Sequence, residues 1–213
     1  MPAYPQSTWQ RHQTPPLPHT VELTRVSVGA SLLADFKAHL RVSGEAEDTA
    51  LTRFLDTAAR ALEDDARRLL LTGTVKEYFD VWPWDYVGVV HPSRAPVASV
   101  TSIKYFDTSD VEQTWDAANY VADVKSEPAR IVVAQLATLS SPNVDQRPNA
   151  VTIEYQCGYG AAVADLAPEV INAIFVKAAY LYARGRELGT AADAEAVERC
   201  WQNEIRRLTW SML

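Results

Sequence analysis

The chain has 213 residues, 47% of them hydrophobic and 22% charged, with a formal net charge of −7. That length supports one sizeable core, or one core with a small annex, and no apolar run approaches the roughly 20 residues that a bilayer-crossing helix needs. The acidic balance argues against tight, sequence-independent gripping of nucleic acid, where Lys and Arg must neutralise phosphates.

Residues 1–20 hold five prolines (Pro2, Pro5, Pro15, Pro16 and Pro18) among Gln, Ser, Thr and His. Such a stretch sustains no helix and buries little, so it reads as a flexible arm that orders only against a neighbour. It lacks the apolar segment of a secretory signal. Trp9 is the residue there with most to gain from docking. The remainder, 21–213, reads as one domain.

VELTRVSV, from Val21, is short and β-like. Ser31 is the expected N-cap of LLADFKAHL, whose Leu32, Leu33, Phe36 and Leu40 share a helical face. Asp48 is the expected cap of a second, longer helix running to about Leu71. Leu51, Phe54, Leu55, Ala58, Leu62, Ala66 and Leu69 form its stripe, and Gly73 its stop. Glu63, Asp64 and Asp65 fall near the opposite, solvated face.

From Thr74 the period changes to two. Val75, Glu77, Phe79 and Val81 alternate with Lys76, Tyr78, Asp80 and Trp82. WPWDYVGVVHPSRAP is a punctuated connection with a brief strand at Tyr86–Val90; its tryptophans fit either a contact surface or a cover over a sheet. Val97–Phe106 and Val111–Trp115 read as a hairpin around DTSD. NYVADV, ARIVVAQ and AVTIEYQCGYG supply further strands, with LATLSSPNVDQRPN as a loop. The β-rich region therefore spans about 74–160, as a mostly antiparallel sheet or small sandwich.

Helical spacing returns after Asp165. Pro168 suits a first turn, and Val170, Ile171, Ile174, Phe175, Ala178, Leu181 and Tyr182 form a broad apolar face. RGRELGT interrupts it. A last helix, about Ala191 to Leu208, carries Val197, Trp201, Ile205 and Leu208 on one stripe, with Arg206 and Arg207 at its negative dipole end. The expected fold class is thus α+β: about four helices, with the β-rich insertion between the second and third.

Motifs for chemistry are missing: no P-loop, GxGxxG, GxSxG or HExxH occurs. GYG at 158–160 is too short to cradle a phosphate and reads as a turn. His12, His19, His39 and His91 are scattered, and Cys157 and Cys200 lack metal or redox spacing. The expectation is a non-enzymatic protein without cofactor or metal, holding free thiols in a reducing compartment.

The ordered segments carry a resemblance. They are LADFKAHLRV (33–42), EDTALTRFLDTAARALEDDARR (47–68), APVASVTSIKYFDTSDVEQTWDAANYVAD (95–123), EPARIV (127–132), RPNAVTIEYQCGYG (147–160) and PEVINAIFVKAAYLYARGRE (168–187). Together they resemble the head–tail connector (adaptor, or head-completion) proteins of long-tailed phages and gene transfer agents, over about residues 21–188. That resemblance implies a structural protein made in the host cytoplasm and placed in the virion at the capsid–tail neck. It implies a ring, commonly of twelve subunits, beneath the portal protein and joined below to a stopper or tail-completion protein. Genome DNA passes through the lumen without specific binding. The longer arm and the divergent WPWDYVGVV depart from the family pattern, so contacts there transfer least.

A closed head-to-tail ring needs two different patches per subunit. The candidate portal or subunit contacts are Trp201, Ile205 and Leu208 of the last helix and Trp210, Met212 and Leu213 of the tail, which has no later chain to cover it. Trp82, Trp84 and Tyr86 are the candidate tail-side or intersubunit contacts. Twelve copies at −7 carry about −84 in all, a charge that, if it lined the lumen, would repel phosphates. The rival readings are another tail or neck protein or β-rich binding module and, further off, a nuclease.

Overall fold

A computed structural model describes residues 18, 20–85, 87–134, 147–184 and 191–209, with the side chains of 191–193 and 209 left aside. Most of the Pro-rich arm, most of the 136–149 loop, residues 185–190 of the RGRELGT interruption, Tyr86, Trp210, Met212 and Leu213 lie outside the described residues.

The two periodicities of the sequence segregate into two cores. Strand β1 (Thr20–Thr24) is followed by helices α1 (Gly29–Leu40) and α2 (Asp48–Ala66). Then come β2 (Gly73–Phe79), β3 (Val89–Val90), β4 (Val97–Phe106), β5 (Glu112–Thr114), β6 (Tyr120–Asp123), β7 (Arg130–Val133) and β8 (Val151–Cys157). Helices α3 (Pro168–Arg184) and α4 (Ala191–Thr209) close the chain. The α+β class with β-sheets inserted between α2 and α3 is the architecture expected from the sequence.

Leu32, Phe36, Leu51, Leu55, Leu62 and Ile174 form the centre of the helical core. At about 1.5–3 kcal/mol for each large side chain removed from water, such stripes drive this packing before entropy opposes it. The β unit has a second core, made by two antiparallel sheets packed face to face. The larger has the order β1-β2-β8-β4-β5, the smaller β3-β7-β6. Val75, Phe79, Ile103, Val151 and Ile153 point inward from the first, and Val90, Ile131 and Val133 from the second. β1 edges the large sheet through Thr20↔Tyr78 to Thr24↔Thr74, so a strand from before α1 completes the insertion.

Local details depart from the sequence expectations at four places. Ser31 lies inside α1 and does not cap it: Gly29 N–H donates instead to Asp56 Oδ1 of α2 at 2.9 Å. Asp48 is already helical and binds Lys37 Nζ at 2.5 Å, while Glu47 holds the cap position without a side-chain cap bond. α2 stops at Ala66, five residues short of Leu71, where Arg67 turns left-handed at φ 52°. Gly73 does not stop it. Gly73 opens β2, where a Cβ would stand 2.2 Å from Thr24 O, so the close β1 backbone requires glycine.

The chain between α2 and β2 is therefore extended and divides its leucines. Leu69 enters the β core, and Leu70 and Leu71 enter the helical core. This crossing is clasped on both sides: Leu69 N–H donates to Ala95 O at 3.0 Å, and Thr72 N–H to Gly160 O at 2.8 Å. Gly158, at φ 141°, lies where a Cβ would come within 2.6 Å of the Leu71 backbone.

Candidate interaction surfaces

Two of the buried charged groups, Glu63 and Arg68, lie where the two cores meet. Glu63 belongs to this seam rather than to a solvated helix face. Its side chain is 6% exposed, accepts from Leu70 N–H at 2.9 Å and lies 3.5 Å from Arg25 Nε. Burial pushes its carboxyl above the usual range, against the opposing pull of the Leu70 N–H and Arg25. Asp65 is also engaged, accepting from Trp201 Nε1 at 2.8 Å. Asp64 stays half exposed and meets Arg25 and, at 3.4 Å, Arg94.

Arg68, only 2% exposed, pairs with Glu127 of the β6–β7 connection and donates to Tyr159 Oη at 2.8 Å. Glu77 sits inside the β core at 1% exposure. One of its oxygens accepts from Tyr155 Oη at 2.5 Å and from the Ser93 N–H and hydroxyl at 2.7 Å each. Burial and the Glu77 charge hold the Tyr155 phenol in its neutral form. Burial likewise pushes the Cys157 thiol up to about 12, so the sulfur is protonated and unreactive at neutral pH. Each of these charges has a partner that explains it as architecture. Among the described residues, no group of three or more His, Cys, Asp or Glu is arranged to hold a metal ion.

The C-terminal helix carries the first expected contact group. Trp201 is 3% exposed, inserted into the helical core, with Lys177 Nζ 4.8 Å from its ring centroid. Ile205 and Leu208 are partly buried against the same core. All three therefore pack within this chain. The outward side of α4 is polar, and Glu195, Glu198, Arg199, Gln202, Asn203 and Arg206 line a shallow depression along it.

The second expected group is drawn together with residues far away in sequence. Trp82 and Trp84 stack nearly parallel at 5.9 Å, and Trp115 lies 5.1 and 5.4 Å from them. Tyr105 and Tyr120 extend the cluster. Both Trp82 and Trp84 are partly buried against the β core, and the Trp84 indole N–H is buried without an acceptor among the described residues.

A third surface was not anticipated. On the small sheet the register places Val89 opposite Val132, and Val132 opposite Val121. These valines point away from Val90, Ile131 and Val133, so they form a row on the outer face. Val121 is 57% exposed and nearby Val87 42%. Beside the row, the Asp123 carboxylate accepts from the Ser126 hydroxyl at 2.7 Å and from Arg130 Nε at 2.8 Å, which hold its pKa down at about 2. The signal was present as VV at 89–90, YVAD and RIVV, but a strand valine reads the same facing in or out until the register is known.

Two packed cores joined by a buried polar seam define an α+β fold. No protein-family model matches the chain, and no curated protein does. Solved structures do. A chain in the neck of an empty gene transfer agent particle, computed with C6 symmetry, matches with TM-score 0.64 and 26% identity, over 76% of this chain and 83% of that one. A chain of the native particle's neck, computed with C12 symmetry, gives 0.66 and 24%, over 86% and 93%. A chain of the native gene transfer agent virion gives 0.64 and 26%, over 84% and 94%. The protein thus shares its fold, over about four-fifths of its length, with a structural component of gene transfer agent necks. No helix among the described residues is long and apolar enough to cross a membrane.

Proposed function

We propose that this chain is a head–tail connector subunit: one of a ring of copies, twelve in number, seated under the portal at the capsid–tail neck of a phage-like particle. The ring joins capsid to tail and leaves a lumen for DNA. The observation that carries the reading is the match to chains of a gene transfer agent neck and virion at 26% identity, over 76% and 84% of this chain. The twelvefold symmetry of one matching neck supports the copy number. The residue resemblance to adaptors over about 21–188 supports the portal above and a stopper or tail-completion protein below as partners.

Within this reading the C-terminal end faces the portal. Trp201 anchors α4 to its own subunit, Ile205 and Leu208 carry its partly covered apolar margin, and residues 209–213 reach the partner. The Trp82–Trp84 cluster, with Tyr86, belongs to the tail-side or intersubunit surface.

Cryo-electron microscopy of the particle neck tests the function. Density for this chain in a ring between portal and tail is the expected result; a particle whose neck lacks it refutes the reading. Deleting 209–213 is expected to abolish attachment to isolated portal while leaving the thermal transition within a few degrees of wild type. Undiminished attachment would remove the tail from the interface.

A further inference from the structure

We propose that the valine row of the small sheet is a ring-closing contact, seated in the assembled neck against the opposite sandwich face of a second copy of this chain. The inference rests on the functional reading above and concerns how its copies meet.

The sandwich offers two ends and two broad faces. β2, β4 and β8 leave the helical body at Gly73, Val97 and Cys157 and finish at the far end, beside the Asp107–Val111 turn. With the helical end toward the portal and the far end toward the tail, the two broad faces are lateral. In a ring of many copies, neighbours meet on nearly opposite sides of each subunit, and the two patches must differ. The faces meet both conditions.

The outer face of the large sheet is polar and internally paired. Lys76 lies 3.6 Å from Glu154, Lys104 Nζ 3.0 Å from Glu112, and Tyr78 donates to Glu22 at 2.8 Å. The outer face of the small sheet carries Val89, Val132 and Val121 around a shallow depression, bordered by Asp123, Lys125 and Arg130. The aliphatic stems of Lys76 and Lys104 can cover valines while their ammonium groups stay at the rim, near Asp123. A valine face meeting its own copy would instead give a closed pair and stop growth. The unlike face gives a ring.

The test introduces Val121→Cys and Thr152→Cys together in a Cys200→Ser chain and oxidises assembled particles mildly. The expected result is a ladder of covalent multimers on non-reducing gels, absent from either single variant. In parallel, Val121→Glu is expected to lower ring yield with isolated portal at least about tenfold, while the circular dichroism spectrum and melting transition of the free chain stay as in wild type. A neck that holds the double variant at full occupancy, yet yields no ladder, overturns the contact and leaves the functional reading standing; so does a Val121→Glu chain that forms rings normally. A neck without the wild-type chain sinks the functional reading itself, and this one with it.

Discussion

The helical body and the β sandwich solve the same problem differently. The helical core is apolar throughout, from Leu32 and Phe36 of α1 to Ile174 and Trp201, and charge enters only at its borders. The β unit encloses Glu77, and the seam between the units encloses Glu63 and Arg68. Apolar burial is non-directional, so it brings two bodies together without fixing their angle. A guanidinium that must reach both Glu127 and Tyr159 fixes it, because few orientations satisfy both partners. In the ring proposed above, that angle sets how the two ends and the lateral faces of each copy stand to one another.

Breaking the seam is the harshest test of this contrast. Arg68→Ala is expected to cost about 3 kcal/mol in urea unfolding, the low end for breaking a buried pair. The reason is that Glu127 keeps 34% of its side chain in water and can rehydrate once the arginine is gone. Arg68→Met, which restores volume without charge, is expected to recover part of the loss in stability but not the fixed angle. Small-angle scattering should then show a broadened shape distribution. An Arg68→Ala chain as stable as wild type would mean that the Arg68 pairing does not hold the bodies together.

How far the sequence revealed all this follows from the same contrast. Helical stripes at 51–62 and 170–178, the alternation from Thr74 and the strand within 150–160 state one neighbour relation each, and all four were legible. Polar groups state nothing until their partners are known. Glu63 and Asp65 look like a solvated helix face, because Leu70 N–H lies seven residues on and Trp201 lies 136 residues away. Asp56 caps α1 from another helix, so local capping rules chose Ser31 instead. Leu69 fits the helical spacing of α2 by coincidence, and only the left-handed Arg67 reveals that the helix has ended. Of the candidate contacts, Trp82 and Trp84 were visible as aromatics. Their meeting with Trp115 depends on tertiary packing, and the outward direction of Val121 depends on register.

A milder probe enters the sandwich itself. Glu77→Leu leaves the Tyr155 hydroxyl and the Ser93 N–H without their acceptor, at an expected cost of about 1–3 kcal/mol. Glu77→Gln retains an acceptor oxygen there and is expected to cost less than Glu77→Leu. The indole N–H NMR resonance of Trp201 is expected to be unchanged in both variants, since the damage lies in the other core. A shift in that resonance would show that the two cores are coupled beyond the seam.

The smallest expected effect concerns Asp123, on the border of the valine face. The Ser126 hydroxyl, first, and the Arg130 guanidinium, second, bind its ionised form and hold its pKa at about 2, below the ordinary 3.8. A carboxyl depressed on folding adds stability above its unfolded value, and that contribution is lost as pH falls from about 3.8 towards 2. Because the group is solvent-facing, the loss is local: the β6–β7 connection loosens while the cores hold. A carboxyl-carbon NMR titration is expected to place the Asp123 midpoint near 2, with Ser126 and Arg130 resonances following it. Asp123→Asn should remove that step and leave the Ile131 and Val133 core signals in place. A midpoint near 3.8 would mean that the connection is not held by this carboxylate, and that the border of the valine face is looser than the paired surface on the other side of the sandwich.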